Sequence, residues 1–487
     1  MIGNRTKNDP GDGCGHDLRP AHSLRRKDVN STLRHALAMT VIPLLLLGAG
    51  CSERDPTGLD VARARIEPLV FAEGYGDDVY FQAFSGTYYR AARLDSVYAH
   101  NSATSLKVIV PPRDSALGAY AGGVLTSAGA RDLADFNALT FYARSSVNSS
   151  LYETGFGNDN TGTSSYSASR LNIPLTTGWT FVVVPIPSPS KLIAERGLFT
   201  FSEGWEAANP LGHELWLDDI SFARLGNISN PRPFMPSGTK QYFIGSTVSL
   251  GGTRTTFDVD GADVVVNHMP GYFDYQISDP AVATVSRGGI RIVGAGTATL
   301  TATLDGVAVA GAVALGGYQP PMSAAPVPTV PANDVIALFS DVYDTEPVDR
   351  WSTPDWTYTT TQFDSYTVAG DRNLMYSTLN FVGIIFGANT IDATAMTHLH
   401  LDVYAPEGTD FKVKIVAFNA DNGYTVGEAE LTFNASTTPP FHAGTWSSLE
   451  IPLDDFPLNA PRDHLGQLVL STTDAQLVLV DNIYWHK

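Results

Sequence analysis

The sequence predicts an all-β protein of about three domains. Its 487 residues exceed what one hydrophobic core usually holds, because a domain averages roughly 150 residues. Glycine (44) and proline (30) are abundant and only 17% of the residues are charged, which is typical of strands joined by tight turns. Apolar residues recur at every second position over many short segments, and no segment shows a convincing helical period.

The central stretch, residues 278–303, reads SDPAVATVSRGGIRIVGAGTATLTAT and separates two longer halves of the chain. From Arg291 to Thr303 apolar and polar residues alternate as in half-buried strands, and glycines mark the turns. This stretch resembles the bacterial immunoglobulin-like group 2 (BIG2) domain, with a span of residues 235–316. The resemblance implies a small Ig-like β-sandwich that mostly serves as a rigid spacer in surface-exposed bacterial proteins.

The two flanking halves, residues 65–225 and 332–487, resemble each other and are predicted to share a jelly-roll fold. Each is long enough for about eight short strands. Between the second and third domains, residues 317–331 hold five prolines and are predicted to be a stiff, extended linker that spaces the modules apart. The landmarks that repeat in the same order are Asn137–Ala143 with Thr397–Ala405, Gly178–Ile186 with Gly444–Leu453, and Trp216–Phe222 with Leu479–Trp485.

These landmarks resemble the carbohydrate-binding modules of galactose-binding-like fold that are often attached to bacterial glycoside hydrolases. The last half resembles the terminal module of surface proteins from laminarin-using bacteria, through Asp341, Ile391–Ala393, Thr397–His398 and the closing Asp481–Lys487. The resemblance implies a polysaccharide ligand, a β-glucan such as laminarin, and a glycan transporter or a glycoside hydrolase as partner.

The first 51 residues are predicted to be a targeting segment. Basic residues precede an apolar run from Ala36 to Leu47, which is too short for a mature membrane-spanning helix. The ending LLLLGAGC resembles a bacterial lipoprotein signal, although Gly48 stands where a branched apolar residue is usual. The resemblance implies lipidation of Cys51 and an exported protein anchored to the outer membrane at the cell surface.

The acidic balance of the chain excludes some partners. Lysine and arginine number 31 against 50 aspartate and glutamate residues, a formal net charge of −19. A surface of this sign repels nucleic acid and disfavours anionic membranes. We therefore expect no nucleic-acid partner.

Aromatic rings without a core position are the best candidates for binding sugars, because pyranose faces stack on such rings. The polar, Pro-containing segment VDRWSTPDWTY carries Trp351, Trp356 and Tyr358, and its alternative role is that of a loop anchor. By contrast, four tryptophans lie in or beside alternating strands and are predicted to pack in the cores: Trp179, Trp216, Trp446 and Trp485.

The strand from Thr397 to Ala405 places its polar residues on one face. Three hypotheses remain open for this H-x-H-x-D face: a solvated surface, a sugar groove, or a zinc site. The residues of the face are His398, His400, Asp402 and Tyr404.

In the first half, polar and aromatic residues in loop-like segments are candidates for a second binding site, although their spacing does not show that they converge. They are Tyr88, Tyr89, Asn158, Asp159, Asn160, Tyr166 and Trp205.

A structural Ca²⁺ ion is implied by the resemblance to carbohydrate-binding modules, many of which hold one between an early acidic residue and the closing strand. The matching positions are Asp341 with Asp481, and Glu73 with Asp218. Oxygen ligands of this kind suit a hard cation.

No catalytic motif occurs in the sequence. The E-x-D-x-x-E string of the laminarinases that carry similar modules is missing, as are G-x-S-x-G and H-E-x-x-H. The predicted function is a non-catalytic surface lipoprotein that captures polysaccharide. The alternatives are a divergent polysaccharide hydrolase or lyase, and a structural or adhesive surface protein.

Overall fold

The computed structural model describes residues 64–286, 289–419 and 424–487, and in these residues it confirms the all-β prediction. Strands dominate, and the helices are single 3-10 turns at Pro189–Lys191, Pro270–Tyr272, Ala332–Asp334, Gly387–Asn389 and Leu453–Asp455. Within the described residues, no helix is long and apolar enough to cross a lipid bilayer. The predicted signal segment and Cys51 lie outside the described residues.

The first jelly roll consists of two sheets that face each other across an apolar core. One sheet has the order β3-β4-β11-β6-β9, with β1 beside β11, and the other contains β8-β7-β10-β5-β2. The strands are β1 Leu69–Phe71, β2 Val79–Ala83, β3 Ala92–Asp95, β4 Ser105–Val110, β5 Tyr120–Arg131, β6 Ala138–Ser145, β7 Ser149–Phe156, β8 Ala168–Leu175, β9 Thr180–Pro185, β10 Glu195–Gly204 and β11 His213–Ala223.

The middle region divides its strands between two sheets. A five-stranded sheet has the order β13-β21-β19-β16 with β20 beside β19, and β17 pairs with β18. The remaining strands, β12, β14 and β15, extend the second sheet of the first jelly roll beyond β8. The bounds are β12 Ile228–Phe234, β13 Gly238–Phe243, β14 Arg254–Val259, β15 Ala262–His268, β16 Asp274–Ile277, β17 Ala283–Ser286, β18 Gly289–Ile292, β19 Gly296–Leu304, β20 Val307–Ala308 and β21 Val313–Tyr318.

The third domain repeats the topology of the first jelly roll. Its sheets have the orders β23-β24-β31-β26-β29, with β22 beside β31, and β25-β30-β27-β28. Each of these strands has a counterpart at the same place in the first jelly roll, where β2 is additional. The bounds are β22 Val335–Phe339, β23 Gln362–Val368, β24 Asp371–Ser377, β25 Phe381–Ile385, β26 His398–Tyr404, β27 Asp410–Phe418, β28 Thr425–Asn434, β29 Ser447–Pro452, β30 Leu465–Ser471 and β31 Leu477–His486.

The three regions are fused rather than spaced apart. One apolar cluster joins the first jelly roll to the hairpin β14-β15, and another joins the middle sheet to the third domain through Phe243, Tyr404 and Leu479. The proline-rich segment is also bound in place, because Trp446 Nε1 donates to the carbonyl of Ser323 over 3.0 Å. The expectation that this segment spaces the modules apart is therefore wrong, since the middle sheet and the third domain bury apolar surface against each other.

His268, which is buried at the junction of β15 and β8, makes the stability of the folded protein sensitive to acid. It is 8% exposed, and its ring nitrogens lie 3.0 Å from both the Thr255 hydroxyl and the Met269 carbonyl. Burial is the main cause that lowers the pKa of His268 to about 4. Between pH 6.5 and 4 the unfolded chain binds a proton that the folded chain excludes, so stability falls as the pH falls, by up to about 3 kcal/mol.

We therefore expect His268→Gln, which can keep both hydrogen bonds, to lose less stability than the unmodified protein between pH 7 and pH 4.5. Thermal unfolding of both proteins across this range measures the difference. Parallel loss of stability in the two proteins would contradict this account.

Phe243→Ala tests the junction between the middle and third domains. Phe243 is fully buried and its ring centroid lies 5.4 Å from that of Tyr366. Removing such a ring costs about 3–5 kcal/mol. Scanning calorimetry should show a lower transition for both domains together, whereas the exposed Phe181→Ala should change little. A shift confined to one of two separate transitions would contradict the shared core.

Candidate functional site

The outer face of the β25-β30-β27-β28 sheet is the best-formed platform on the third domain. Side chains alternate along each strand, so that Val382, Ile384 and their counterparts enter the core while their neighbours point outward. We call the outward residues the outer sheet face. They are Phe381 and Gly383 on β25, Gln467, Val469 and Ser471 on β30, Lys412 and Lys414 on β27, and Glu428, Glu430 and Thr432 on β28.

Trp356 lies over this face at Gly383. A Cβ atom built on Gly383 would come within 2.5 Å of Trp356 Cη2, so only glycine leaves room for the ring. Trp356 is partly buried and its ring centroid lies 6.4 Å from that of Phe381. Two aromatic rings therefore line one side of the outer sheet face.

The segment that carries Trp356 takes the place of strand β2 of the first jelly roll. It lies between β22 and β23 and runs along β25, as β2 runs along β5. Arg350 exchanges backbone hydrogen bonds with Ile385, and the Thr353 hydroxyl accepts from the Gly383 amide over 3.0 Å. A ring held by such contacts loses little conformational freedom when a ligand binds.

The three aromatic residues predicted in this segment have different positions. Trp351 packs against the core of the third domain, where its ring meets Phe339 edge-on at 5.6 Å, so it anchors the loop. Tyr358 is 87% exposed, and its backbone is held by the side-chain amide of Asn380. Trp356 and Tyr358 thus lie outside the core, whereas the partly buried Trp351 packs against it.

The remainder of the outer sheet face is polar. Lys414 on β27 and Glu428 on β28 form an ion pair of 3.2 Å. Gln467 lies on β30, the strand between β27 and β25. Amide and charged groups beside aromatic rings are the set that hydrogen-bonds sugar hydroxyls while the rings stack. Sequence reasoning missed these residues, although the alternation in FVGII and DFKVKI marks an outward face.

The H-x-H-x-D residues lie on the opposite sheet and are largely buried. Asp402 accepts hydrogen bonds from Ser448 Oγ and from Asn482 Nδ2 at 2.5 and 2.8 Å. His400 stacks on Tyr484 with ring centroids 4.5 Å apart, and Tyr404 contacts Phe243 in the middle domain. This face is therefore neither a fully solvated surface nor an open groove.

His400 is held between two carboxylates on this face. Its Nδ1 lies 2.7 Å from Glu450 Oε2, and its Nε2 lies 3.4 Å from Asp402 Oδ2. Burial lowers the pKa of His400, but the hydrogen bonds and charges of the two carboxylates outweigh it and raise the pKa to about 9. Glu450 correspondingly has a pKa lowered to about 2, because bonds to His400 and His486 outweigh its burial.

A carboxylate cluster surrounds the start of β24. Asp371 interacts with both Asp341 and Asp481 at hydrogen-bonding range, so it joins the two residues predicted as calcium ligands. Burial, followed by the interaction with Asp371, raises the pKa of Asp481 to about 8. The side-chain oxygen of the buried Asn373 has no hydrogen-bond partner. Leu374 pairs with Val480 in the antiparallel ladder between β24 and β31. The preceding residue, Asn373, therefore lies beside Asp481.

In the first jelly roll, the corresponding acidic residues already have protein partners. Asp218 accepts hydrogen bonds from the His100 amide and the Ser102 hydroxyl at 2.8 and 3.0 Å. Glu73 accepts from the amides of Ala103 and Thr104. Both carboxylates therefore have hydrogen-bond donors from the protein.

The candidate residues of the first half fall into two groups at opposite ends of β10. At one end, Tyr88 and Tyr89 lie beside Tyr120, the ladder partner of Gly204. Trp205 follows Gly204 at the same end, and the guanidinium of Arg113 lies over its ring. At the other end are Asp159, Tyr166, Asn160 and Asn158, whose backbone touches Gly197. The first half therefore does not bring them into one site.

The four tryptophans predicted to be core residues also differ. Trp485 is fully buried in the core of the third domain. Trp216 is buried on the outer side of its sheet, where Tyr98 covers it at 4.7 Å, and Trp179 lies near His100 on the same side. Trp446 lines a recess of about 610 Å³ together with Tyr404 and Met322. For Trp179, Trp216 and Trp446, the period-2 alternation identified the strand correctly. It did not predict the segment that covers each ring on the outer side of the sheet.

No protein-family model matches the chain, and no curated protein matches it. Among solved structures, the family 30 carbohydrate-binding module of a cellulosomal cellulase of Clostridium thermocellum is 20% identical, with a TM-score of 0.25, and covers 31% of this chain and 97% of that one. A family 11 module from Clostridium thermocellum, in complex with a β-1,3-1,4-mixed-linked tetrasaccharide, is 10% identical, with a TM-score of 0.22, over 29% and 86% of the two chains.

The tandem CBM22-1–CBM22-2 domain of Xyn10C from Paenibacillus barcinonensis is 12% identical, with a TM-score of 0.19, and covers 88% of this chain and 100% of that one. Similarity at this level does not carry an assignment of function. The description of the fold rests on the strand order and register of this chain.

Proposed function

We propose that the protein is a non-catalytic, glycan-binding surface lipoprotein whose third domain captures polysaccharide on the outer sheet face. The observation that carries the proposal is the Trp356 ring, held over Gly383 beside Phe381 and next to a polar sheet surface. A sugar ring can stack on the aromatic side while its hydroxyls reach Gln467 and the Lys414–Glu428 pair.

The proposed ligand is a β-glucan such as laminarin, as the sequence resemblance of the last half implies. Lipidation of Cys51 would hold the protein at the outer membrane, where a glycan transporter or a glycoside hydrolase would receive the captured chain. The fused domains support a scaffold role, because two apolar clusters join the middle region to the first jelly roll and to the third domain.

The geometry of the outer sheet face does not favour the hydrolase or lyase alternative. Glycoside hydrolysis usually needs two carboxyl groups on opposite sides of the bond that is broken. Glu428 and Glu430, the carboxylates of this face, lie on the same strand, and Lys414 neutralises Glu428. A purely adhesive role is less favoured, because Trp356 remains accessible to a ligand.

Affinity electrophoresis of the full chain through gels containing laminarin, mixed-linkage glucan, xylan or alginate tests the proposal. We expect retardation by a β-glucan, and we expect Trp356→Ala to weaken binding by about 2 kcal/mol, or roughly 30-fold. Trp205→Ala, which removes a partly exposed ring from the first half, is the matched control and should bind normally.

Failure of all four polysaccharides to retard the chain, with and without Ca²⁺, would reject glycan capture. Retardation that is lost in Trp205→Ala but kept in Trp356→Ala would move the site to the first jelly roll. Circular dichroism of each variant excludes misfolding as the cause of lost binding.

We also propose that Asp341, Asp371 and Asp481 hold a structural Ca²⁺ ion, with the side-chain oxygen of Asn373. The donor set consists of oxygens only, which suits a hard cation. The buried Asn373 oxygen has no partner and the three carboxylates repel each other, so a bound cation would satisfy all four groups. When bound, Ca²⁺ would join the segment after β22 to the start of β24 and to β31.

Thermal unfolding with and without Ca²⁺ tests whether the ion binds at this site. At 100 times its dissociation constant the ion adds about 2.7 kcal/mol of stability, so the melting temperature of the unmodified protein should rise. Asp371→Asn should abolish the rise, whereas Glu73→Gln in the first jelly roll should preserve it. An equal rise in Asp371→Asn would refute the assignment.

A further inference from the structure

A second group of potential metal ligands lies on the other sheet of the third domain. His398 on β26, Glu450 on β29 and His486 on β31 come from three neighbouring strands, and one ligand atom of each lies within 4.8 Å of the others. The imidazole rings of His398 and His486 are nearly parallel, at 7°, with centroids 5.1 Å apart. The sheet therefore brings two nitrogen donors and one carboxylate together without a loop.

The hydrogen bonds around this group orient each donor. His486 Nδ1 lies 2.8 Å from the main-chain oxygen of Lys487, and its Nε2 makes a close contact with Glu450 Oε1. His398 Nδ1 lies 2.7 Å from the Thr397 hydroxyl. Ligating histidines in metal sites almost always have such a partner on the second nitrogen.

The carboxylate is oriented in the same way. Glu450 Oε2 accepts from His400 Nδ1 over 2.7 Å, which leaves Oε1 for His486 or an ion. The Glu450 side chain is 45% exposed and that of His486 only 12%, so an ion can enter from the Glu450 side. Solvent access on this side also leaves room for a fourth ligand.

We propose that His398, Glu450 and His486 form a binding site for a transition metal ion, for which Zn²⁺ is the best match. Two imidazoles and one carboxylate with an open fourth position are a common ligand set of zinc, whereas Ca²⁺ takes oxygen ligands. The ligand set differs from the H-x-H-x-D face of the sequence. His400 and Asp402 already bind other protein groups, and the ligands Glu450 and His486 come from two further strands.

Isothermal titration of the full chain with ZnCl₂, after removal of metal with EDTA, tests this site. The unmodified protein should bind one more equivalent of Zn²⁺ than either His398→Ala or His486→Ala. His464→Ala removes a histidine that lies beside Asp463 elsewhere in the same domain, and it should keep the full stoichiometry. Comparison between variants cancels any Zn²⁺ bound by other parts of the chain.

Thr397→Val provides a test that leaves all three ligands in place. The two side chains have nearly the same shape, and the substitution removes only the hydroxyl that contacts His398 Nδ1. Loss of such a contact typically weakens metal affinity by about 10–100-fold. Titration with Co²⁺ adds a spectroscopic measurement, because the visible absorption of a tetrahedral site should be present in His464→Ala and missing in His398→Ala.

The same Zn²⁺ stoichiometry and affinity in the unmodified protein, His398→Ala and His486→Ala would overturn the proposal, as would equal losses in all variants including His464→Ala. Melting temperatures in EDTA identify a variant that fails to fold. The Thr397→Val result then decides the question, since unchanged Zn²⁺ affinity in that variant overturns the proposed orientation of His398. Neither outcome depends on glycan binding.

Discussion

One backbone irregularity determines which side chains at the end of β31 enter the core of the third domain and which point outward. Asn482 on the central strand β31 has a positive φ of 48°, and the ladder to β26 shifts its register there. As an extra residue, Asn482 inverts the alternation beyond it, so that Ile483 and Trp485 enter the core and Tyr484 and His486 point outward. Asp219 on β11, with φ 51°, has the same effect in the first jelly roll.

The outer side of β31 consequently serves three purposes along its length. Leu477 and Leu479 pack against the middle domain, Asp481 joins the carboxylate cluster, and His486 reaches Glu450. A strand without the irregularity would bury His486 and expose Trp485, which is unfavourable for both side chains. The proposed zinc site therefore depends on the irregularity at Asn482, whereas Leu477, Leu479 and Asp481 precede it and keep their outward direction without it.

Much of the fold could be predicted from the sequence because its main signals are local. Period-2 alternation identified the strands, and the landmark pairs Trp216–Phe222 and Leu479–Trp485 identified the repeat of β11 in β31. The pairing of the hairpin β14-β15 with β8 could not be predicted, because a strand edge carries no mark of its partner in the sequence. The bound state of the proline-rich segment was missed for a similar reason, since its contacts with Trp446 and Asn482 come from distant strands.

The candidate sites show the same division between local and distant information. Alternation correctly placed His398, His400 and Asp402 on one face. The burial of His400 under Tyr484 and its ion pair with Glu450 depend on neighbouring strands, which alternation does not reveal. Trp351 and Trp356 have nearly identical surroundings in the sequence. Only the tertiary structure separates them, because Gly383 leaves space for one ring on the outer sheet face and Phe339 holds the other against the core.

The glycan platform and the proposed zinc site occupy opposite sides of the same sandwich. The outer sheet face belongs to the β25-β30-β27-β28 sheet, whereas His398, Glu450 and His486 lie on the outward side of the other sheet. Two packed sheets are about 10 Å apart, and the core between them is filled by side chains such as Leu401 and Leu468. A metal ion on one side cannot contact a sugar on the other, so its fourth ligand would come from water or from a second molecule. The two proposed sites are therefore sterically independent, and occupancy of one leaves the other open.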